Sequence, residues 1–279
     1  MKLRLYHHSD GARVAYRELG TGPPLGLLHS AWLSHREFEP LVEHLSDRFR
    51  VVLPDLPLHG DSEDRPRHPY TLSWFAEVMS GFAHEVLGPH PLIGGHGSGA
   101  EILLEAVSSG RLTPRRLVLM PNRMHGQSAR PGRDQAARTL ARAGRIPGLD
   151  LLFSHAAKRV ARPDRGLRLS VRENPAAGDL VRHAFADVGG NSSLARSWAR
   201  CARSWPIAAR RELLDAYPRF DFPVLLLWAD RDRLHPLALA EEALDRLPQA
   251  QLRVLSGTGF LMAYDDPVAV ARELAAFCG

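Results

Sequence analysis

The residues Gly95-His96-Gly97-Ser98-Gly99 follow a short apolar run and precede a stretch with helical spacing. A serine nucleophile presented on a strand-to-helix turn reads G-x-S-x-G, because small flanking residues let the chain turn sharply beneath the reactive hydroxyl. Here Gly97 holds the middle position and has no side chain to react. Ser98 stands one place along and would open the following helix. There a structural role, with its backbone N–H turned towards a substrate anion, is more natural than nucleophilic attack. Metal and nucleotide chemistry have no matching pattern. H-x-H, H-E-x-x-H and cysteine-ligand spacings are missing, so no metal is expected. The glycines of "GTGPPLG" precede a strand and do not join a strand to a phosphate-binding helix, so no cofactor is expected.

The elements that must position these residues follow from periodicity. Strands are expected at Lys2–His7, Ala12–Glu18, Leu25–His29, Arg50–Asp55, Pro91–Gly94, Arg116–Met120, Pro223–Trp228 and Gln251–Leu255. Helices are expected at Glu37–Leu45, Ser73–Leu87, Gly99–Ser109, Leu237–Leu247 and Pro267–Phe277. Strands alternating with helices indicate an α/β class protein, its mostly parallel sheet covered on both faces. Between residues 123 and 216 the strand signal fades into Ala-, Arg- and Leu-rich sequence broken at Pro147-Gly148, Pro163, Pro175 and Gly189-Gly190. That stretch reads as an inserted helical cap of four or five helices, with residues 1–122 and 217–279 forming the core.

Composition narrows the partners. The chain has 279 residues, with 36 Lys plus Arg against 31 Asp plus Glu. This excess is small, and its longest basic stretches lack the interleaved aromatics of a base-stacking surface, so no nucleic-acid partner is expected. No stretch approaches the roughly 20 apolar residues of a spanning helix, and the N-terminus does not read as a signal peptide. Two cysteines, Cys201 and Cys278, are too few for a disulfide framework, so the cytoplasm is the default compartment. A homodimer is the assembly left open.

In order and spacing, five segments resemble the α/β-hydrolase-fold superfamily, in a capped form. "LLHSAW" (Leu27–Trp32) resembles its oxyanion-forming strand end, with Ser30 where glycine is usual. "VVLPDLPLHGDS" (Val51–Ser62) resembles its D-x-x-G-x-G-x-S stretch, with Pro57 in place of the first glycine. "GHGSGA" resembles the nucleophile elbow. "PVLLLWADRDRLHP" (Pro223–Pro236) matches the segment presenting the acid, at Asp232, and "SGTGFLMAYDDP" (Ser256–Pro267) the loop that presents the histidine. The resemblance implies an eight-stranded, mostly parallel α/β-hydrolase sheet flanked by helices.

The same resemblance implies a degenerate triad: Gly97 at the nucleophile place, Phe260 at the histidine place and Asp232 at the acid place. No histidine follows the eighth strand, since the last in the chain is His235. Asp232 is read either as a leftover carboxylate tied to amides or an arginine, or as an acid–base group whose pKa desolvation raises. His29 ends its strand near the oxyanion region, to fix the loop or to touch substrate. His125 lies where core meets cap and could reach the pocket from above. His96 reads as a core imidazole. Ala31 and Ser98 are the expected oxyanion amides. Trp32 and Phe260 are expected to line an apolar pocket, with Glu101 and Asn122 as further polar candidates.

The leading functional reading is a non-hydrolytic enzyme acting on a small organic molecule by cyclisation, elimination, decarboxylation or isomerisation. Its means are positioning and oxyanion-type stabilisation, and the resembling superfamily includes such tailoring enzymes of bacterial secondary metabolism. A non-catalytic small-molecule binding protein is the alternative, followed by a hydrolase that uses non-standard groups.

Overall fold

The computed structural model describes residues 1–65, 67–127, 169–186 and 192–279, together with 132, 135, 136 and 139. Much of the expected cap, including its breaks at Pro147-Gly148, Pro163 and Gly189-Gly190, lies outside the described residues.

One eight-stranded sheet organises the chain, in the order β1-β2-β4-β3-β5-β6-β7-β8. Its strands are β1 Lys2–His7, β2 Arg13–Leu19, β3 Pro24–Leu28, β4 Arg50–Pro54, β5 Leu92–Gly95, β6 Arg116–Leu119, β7 Val224–Ala229 and β8 Ala250–Leu255. The hairpin β1–β2 and the β2–β4 pair are antiparallel. Every pairing from β4 through β3 to β8 is parallel. Eight expected strands are therefore present with their ends shifted by a residue or so, the usual uncertainty of element boundaries.

Side chains of a strand alternate between faces, and the inner strands β3 to β7 are buried on both faces, while of the edge strands β1 is largely and β8 partly exposed. Val52, Ile93, Leu117, Leu119, Leu226 and Trp228 enter one core with Phe75, Val78 and Leu103. These last three come from α2 (Leu72–Phe82) and α3 (Ser98–Ser108). Leu25, Leu27, Val51, Leu53, Val118, Leu225 and Leu227 enter the other, with Leu41 and Leu45 of α1 (Glu39–Leu45) and Leu274 and Phe277 of the C-terminal helix Pro267–Cys278. Leu45 is fully buried, and truncating such a leucine to alanine costs about 2–5 kcal/mol.

Helices inserted between β6 and β7 form the cap. Its described helices include Pro175–Ala186 and Ser192–Ser204, here α4 and α5. Leu180 and Val181 of α4 pack with Leu33, Leu261 and Tyr264, and so hold the cap over the strand-end loops.

One reading of the β4 loop is corrected. The residue held in the left-handed conformation that suits glycine is Leu58, at φ 77°, and not Pro57. Its buried side chain packs into the core beside Leu56 and Tyr70. That burial sets against the strain a non-glycine residue meets at positive φ.

Candidate functional site

The turn from β5 into α3 keeps the strained backbone of a nucleophile elbow. Gly97 sits at φ 50° and ψ −119°. Its N–H donates to the carbonyl of Pro121 (2.9 Å), and that of Gly99 donates to His96 (2.9 Å). Gly99 is required by contact as well, since a Cβ there would lie 2.3 Å from the Leu28 carbonyl oxygen of β3.

A cavity of about 440 Å³ opens above the elbow, lined among others by Ser30, Trp32, His59, Ser98, Glu101, Trp198, Trp205, His235 and Phe260. Its walls are mainly apolar and aromatic. Trp32 from the β3 loop stacks on Trp198 of α5, with ring centres 3.9 Å apart and planes 14° apart. Trp198 in turn meets His59 edge-on at 4.5 Å. This aromatic group joins core to cap at the cavity wall. Trp32 takes a φ of 67°, which is strained for a bulky side chain.

Two of the lining polar atoms are buried and lack hydrogen-bond partners: His59 Nε2 and Ser98 Oγ. Burial pushes the His59 imidazole down to about 3, with the neighbouring His29 adding to the shift. Neutral His59 is bonded through Nδ1 to the Pro57 carbonyl (3.0 Å). Nε2 is therefore an acceptor, assigned from that partner. Leaving such groups unpaired costs about 1–3 kcal/mol each, which a ligand hydrogen bond would recover.

The loop after β7 supplies the feature that sequence reasoning missed. His235 lines the cavity, and its Nδ1 meets Asp232 Oδ2 at 2.8 Å. The other Asp232 oxygen accepts from the Leu234 N–H at 2.7 Å. No described residue hydrogen-bonds to His235 Nε2. Burial alone would raise the Asp232 pKa, but the bond and charge of His235 and the Leu234 amide hold it below the ordinary carboxylate value. Of the two readings of Asp232, the raised pKa is thus corrected, while the tie to a backbone amide is present at Leu234, and the carboxylate also orients an imidazole. At the usual histidine place Phe260 stacks on His235, with ring centres 5.7 Å apart. The loop bearing Phe260 is intact: Asp265 accepts from the Gly259 N–H (2.8 Å) and from Ser170 Oγ (2.6 Å).

A second carboxylate–imidazole pair lies under the elbow. Glu37 and His96, both almost fully buried, bond through Oε1 and Nδ1. Glu37 Oε2 also accepts from the Ser30 N–H at 2.6 Å. Glu37 therefore ties the oxyanion loop to the elbow, with His96 as the core imidazole that was expected.

Three candidate residues do not line the cavity, and for His29 the loop-fixing alternative is the one the structure shows. His29 bonds the Ser30 carbonyl through Nδ1 (2.8 Å), and its Nε2 accepts from the Leu56 N–H (2.9 Å). Both nitrogens are spent on backbone, and burial keeps the ring neutral by lowering its pKa. His125 faces Glu242 (2.9 Å) and Tyr217, on either side of β7 in sequence, and does not line the cavity. Asn122 is fully buried, donates to the Met120 carbonyl (2.8 Å) and accepts from the Met124 N–H (2.6 Å). Its amide fixes the loop after β6.

Glu101 does line the cavity, but paired. Arg123 forks onto it, with Nε at 2.7 Å from Oε1, and Trp205 Nε1 donates to Oε2 at 2.9 Å. Burial would raise its pKa, yet Arg123 and Trp205 hold it low. Ala31, Trp32, Gly97, Ser98 and Phe260 line the cavity as expected.

Among the described residues, His35, Asp55 and Asp61 are close enough to hold a metal ion. Arg17 is inserted there, donating to Asp61 (2.6 Å) and lying 3.1 Å from His35 Nδ1. A guanidinium thus neutralises these carboxylates.

This sheet order, elbow and cap define the α/β-hydrolase class. Residues 27–273 match the model of the alpha/beta hydrolase family, and the chain belongs to that family. It is 29% identical over 262 residues to the pimeloyl-[acyl-carrier protein] methyl ester esterase of Xanthomonas campestris, covering 91% of this chain and 94% of that one. It is 27% identical over 237 residues to the magnesium-chelatase 30 kDa subunit of Rhodobacter capsulatus, covering 85% and 80%. Among solved structures, an alpha/beta hydrolase fold protein from Burkholderia ambifaria superposes with a TM-score of 0.79 at 22% identity, covering 98% and 97%. A thermophilic esterase from Thermogutta terrifontis gives 0.75 at 21%, covering 100% and 98%. At these identities the structural likenesses establish the fold. The chemistry has to come from the site.

Proposed function

We propose that this protein is an enzyme that transfers a proton to or from a small, largely apolar organic molecule, with His235 as its acid–base group. The 2.8 Å contact between His235 and Asp232 at the cavity wall carries this reading. A carboxylate on Nδ1 fixes the ring and its tautomer and favours the imidazolium formed when Nε2 takes a proton. The unpaired His59 Nε2 and Ser98 Oγ add polar anchors for a ligand, and the aromatic walls add binding area. Histidine general catalysis contributes typically 10²–10⁴-fold. Isomerisation, elimination, cyclisation and decarboxylation can run on this couple together with the amides of Ala31 and Ser98, without a nucleophile on the elbow. The partner in this reading is the small molecule, in the cytoplasm. Nucleic acid and membrane are set aside on composition, and no described helix is long and apolar enough to cross a membrane.

The test is deuterium incorporation from D₂O into a panel of small ketones, esters and β-dicarbonyl compounds. The wild-type protein is expected to accelerate exchange for some members, and His235→Asn to lower that rate by roughly 10²-fold or more. Exchange unchanged in His235→Asn would refute the assignment. Compounds that quench Trp32 or Trp198 fluorescence, with no exchange anywhere in the panel, would identify a binding protein.

A further inference from the structure

We propose that Ser30 carries the nucleophilic hydroxyl that the elbow lacks, which makes the site competent for acyl transfer from small esters. The proposal rests on His235 acting as the base. Two departures from the family pattern, glycine at 97 and serine at 30, are in physical contact. A Cβ built on Gly97 would lie 2.1 Å from Ser30 Oγ and 2.8 Å from Ser30 Cβ. The Ser30 side chain therefore fills the space from which an elbow serine would project.

Topology places it there. Strands β3 and β5 are parallel neighbours with Leu28 opposite Gly95. Two residues beyond both strand ends, the same register sets Ser30 beside Gly97. The backbone of Ser30 is pinned on both sides: its N–H donates to Glu37 (2.6 Å), and its carbonyl is met by His29 Nδ1 (2.8 Å) and the Leu33 N–H (3.2 Å). Its hydroxyl has no hydrogen-bond partner among the described residues, and Ser30 lines the same cavity as His235. A rigid backbone with an uncommitted hydroxyl is what a positioned nucleophile requires.

The chemistry closes with water as the only co-reactant. Ser30 Oγ attacks the ester carbonyl carbon while His235 Nε2 takes its proton. The carbon–oxygen bond to the alcohol breaks, and His235 returns the proton to that leaving oxygen. Water then gives a proton to His235 and attacks the acyl carbon. The bond to Ser30 breaks, and Oγ regains its proton. The backbone N–H groups of Ala31 and Ser98, free of hydrogen bonds to described residues, face the developing oxyanion.

The experiment treats the whole protein with a fluorophosphonate and locates the adduct by peptide mass spectrometry, alongside p-nitrophenyl acetate and butyrate turnover. Ser30 is expected to carry the adduct. Ser30→Ala and Ser30→Gly, each checked for folding by circular dichroism, should lose labelling and lower ester turnover by roughly 10³-fold. His235→Asn should lose ester turnover and deuterium exchange together. An adduct on Ser98, ester turnover undiminished in both folded Ser30 variants, or exchange without any labelling or ester turnover would each overturn the role of Ser30. The last outcome would leave His235 as the acid–base group.

Discussion

Replacing Gly97 by serine would install the residue of a conventional elbow, and the structure predicts that this alone destabilises the protein. The new Cβ would fall 2.1 Å from Ser30 Oγ, well inside contact distance, on a backbone held at φ 50°. Holding a non-glycine residue in such a conformation costs about 1–3 kcal/mol. Displacing a packed neighbour costs about another 1–3 kcal/mol. Gly97→Ser should therefore lose about 2–6 kcal/mol, or about 5–20 °C in Tm for a chain of this size. Adding Ser30→Gly removes the collision and leaves the backbone strain, so the double variant should recover about 1–3 kcal/mol relative to Gly97→Ser. Thermal and urea melts followed by near-UV circular dichroism on the four proteins of the cycle measure that coupling. Additivity within about 0.5 kcal/mol would refute the claim that Ser30 occupies the vacated space.

Three further perturbations probe the surroundings of the cavity. His59 stays neutral when folded, at a pKa of about 3, whereas its unfolded value is near 6.5, so the unfolded state binds more protons in between. Its contribution is complete above the unfolded value and is lost as pH falls from there towards 3. Lowering the pH from 7.5 to 5.5 should cost about 1 kcal/mol through this residue, and His59→Gln should weaken that acid sensitivity in urea melts. Trp198→Ala removes the stack on Trp32 and should weaken binding of an apolar ligand by about 0.5–1.5 kcal/mol beyond the lost area, read by titration calorimetry. Glu37→Ala strips both His96 and the Ser30 N–H of a buried partner, and should cost about 3–5 kcal/mol in denaturant melts.

The sheet was legible because its strands read as apolar runs, such as Val51-Val52-Leu53 and Leu225-Leu226-Leu227, and its helices at a period near 3.6. The elbow was legible because its glycines mark a turn that few residues can make. The base was not. The family pattern puts a histidine after β8, whereas here Asp232 and His235 stand three residues apart on the loop after β7, a spacing that by itself allows them to pair. The exchange between residues 30 and 97 is harder to see. Each departure is visible singly, but their contact depends on β3 and β5 being parallel neighbours in register. Likewise, periodicity places Glu37 in a helix and says nothing of its reach to His96. The directions of the His125 and Asn122 side chains are not legible in the sequence, because the direction of a side chain leaving a strand end is set by hydrogen bonds of the loop, such as Asn122 to Met120 and Met124.

The central claim, that His235 oriented by Asp232 works on a ligand held above a glycine elbow, is tested most directly by a crystal structure with a bound ester or phosphonate analogue. The account predicts that the reacting oxygen of the ligand accepts from the Ala31 and Ser98 amides. It also places His235 Nε2 within about 3.2 Å of the group that gives or receives the proton. A ligand held by His59 and Ser98 in the same cavity, with His235 Nε2 facing none of its polar atoms, would contradict it.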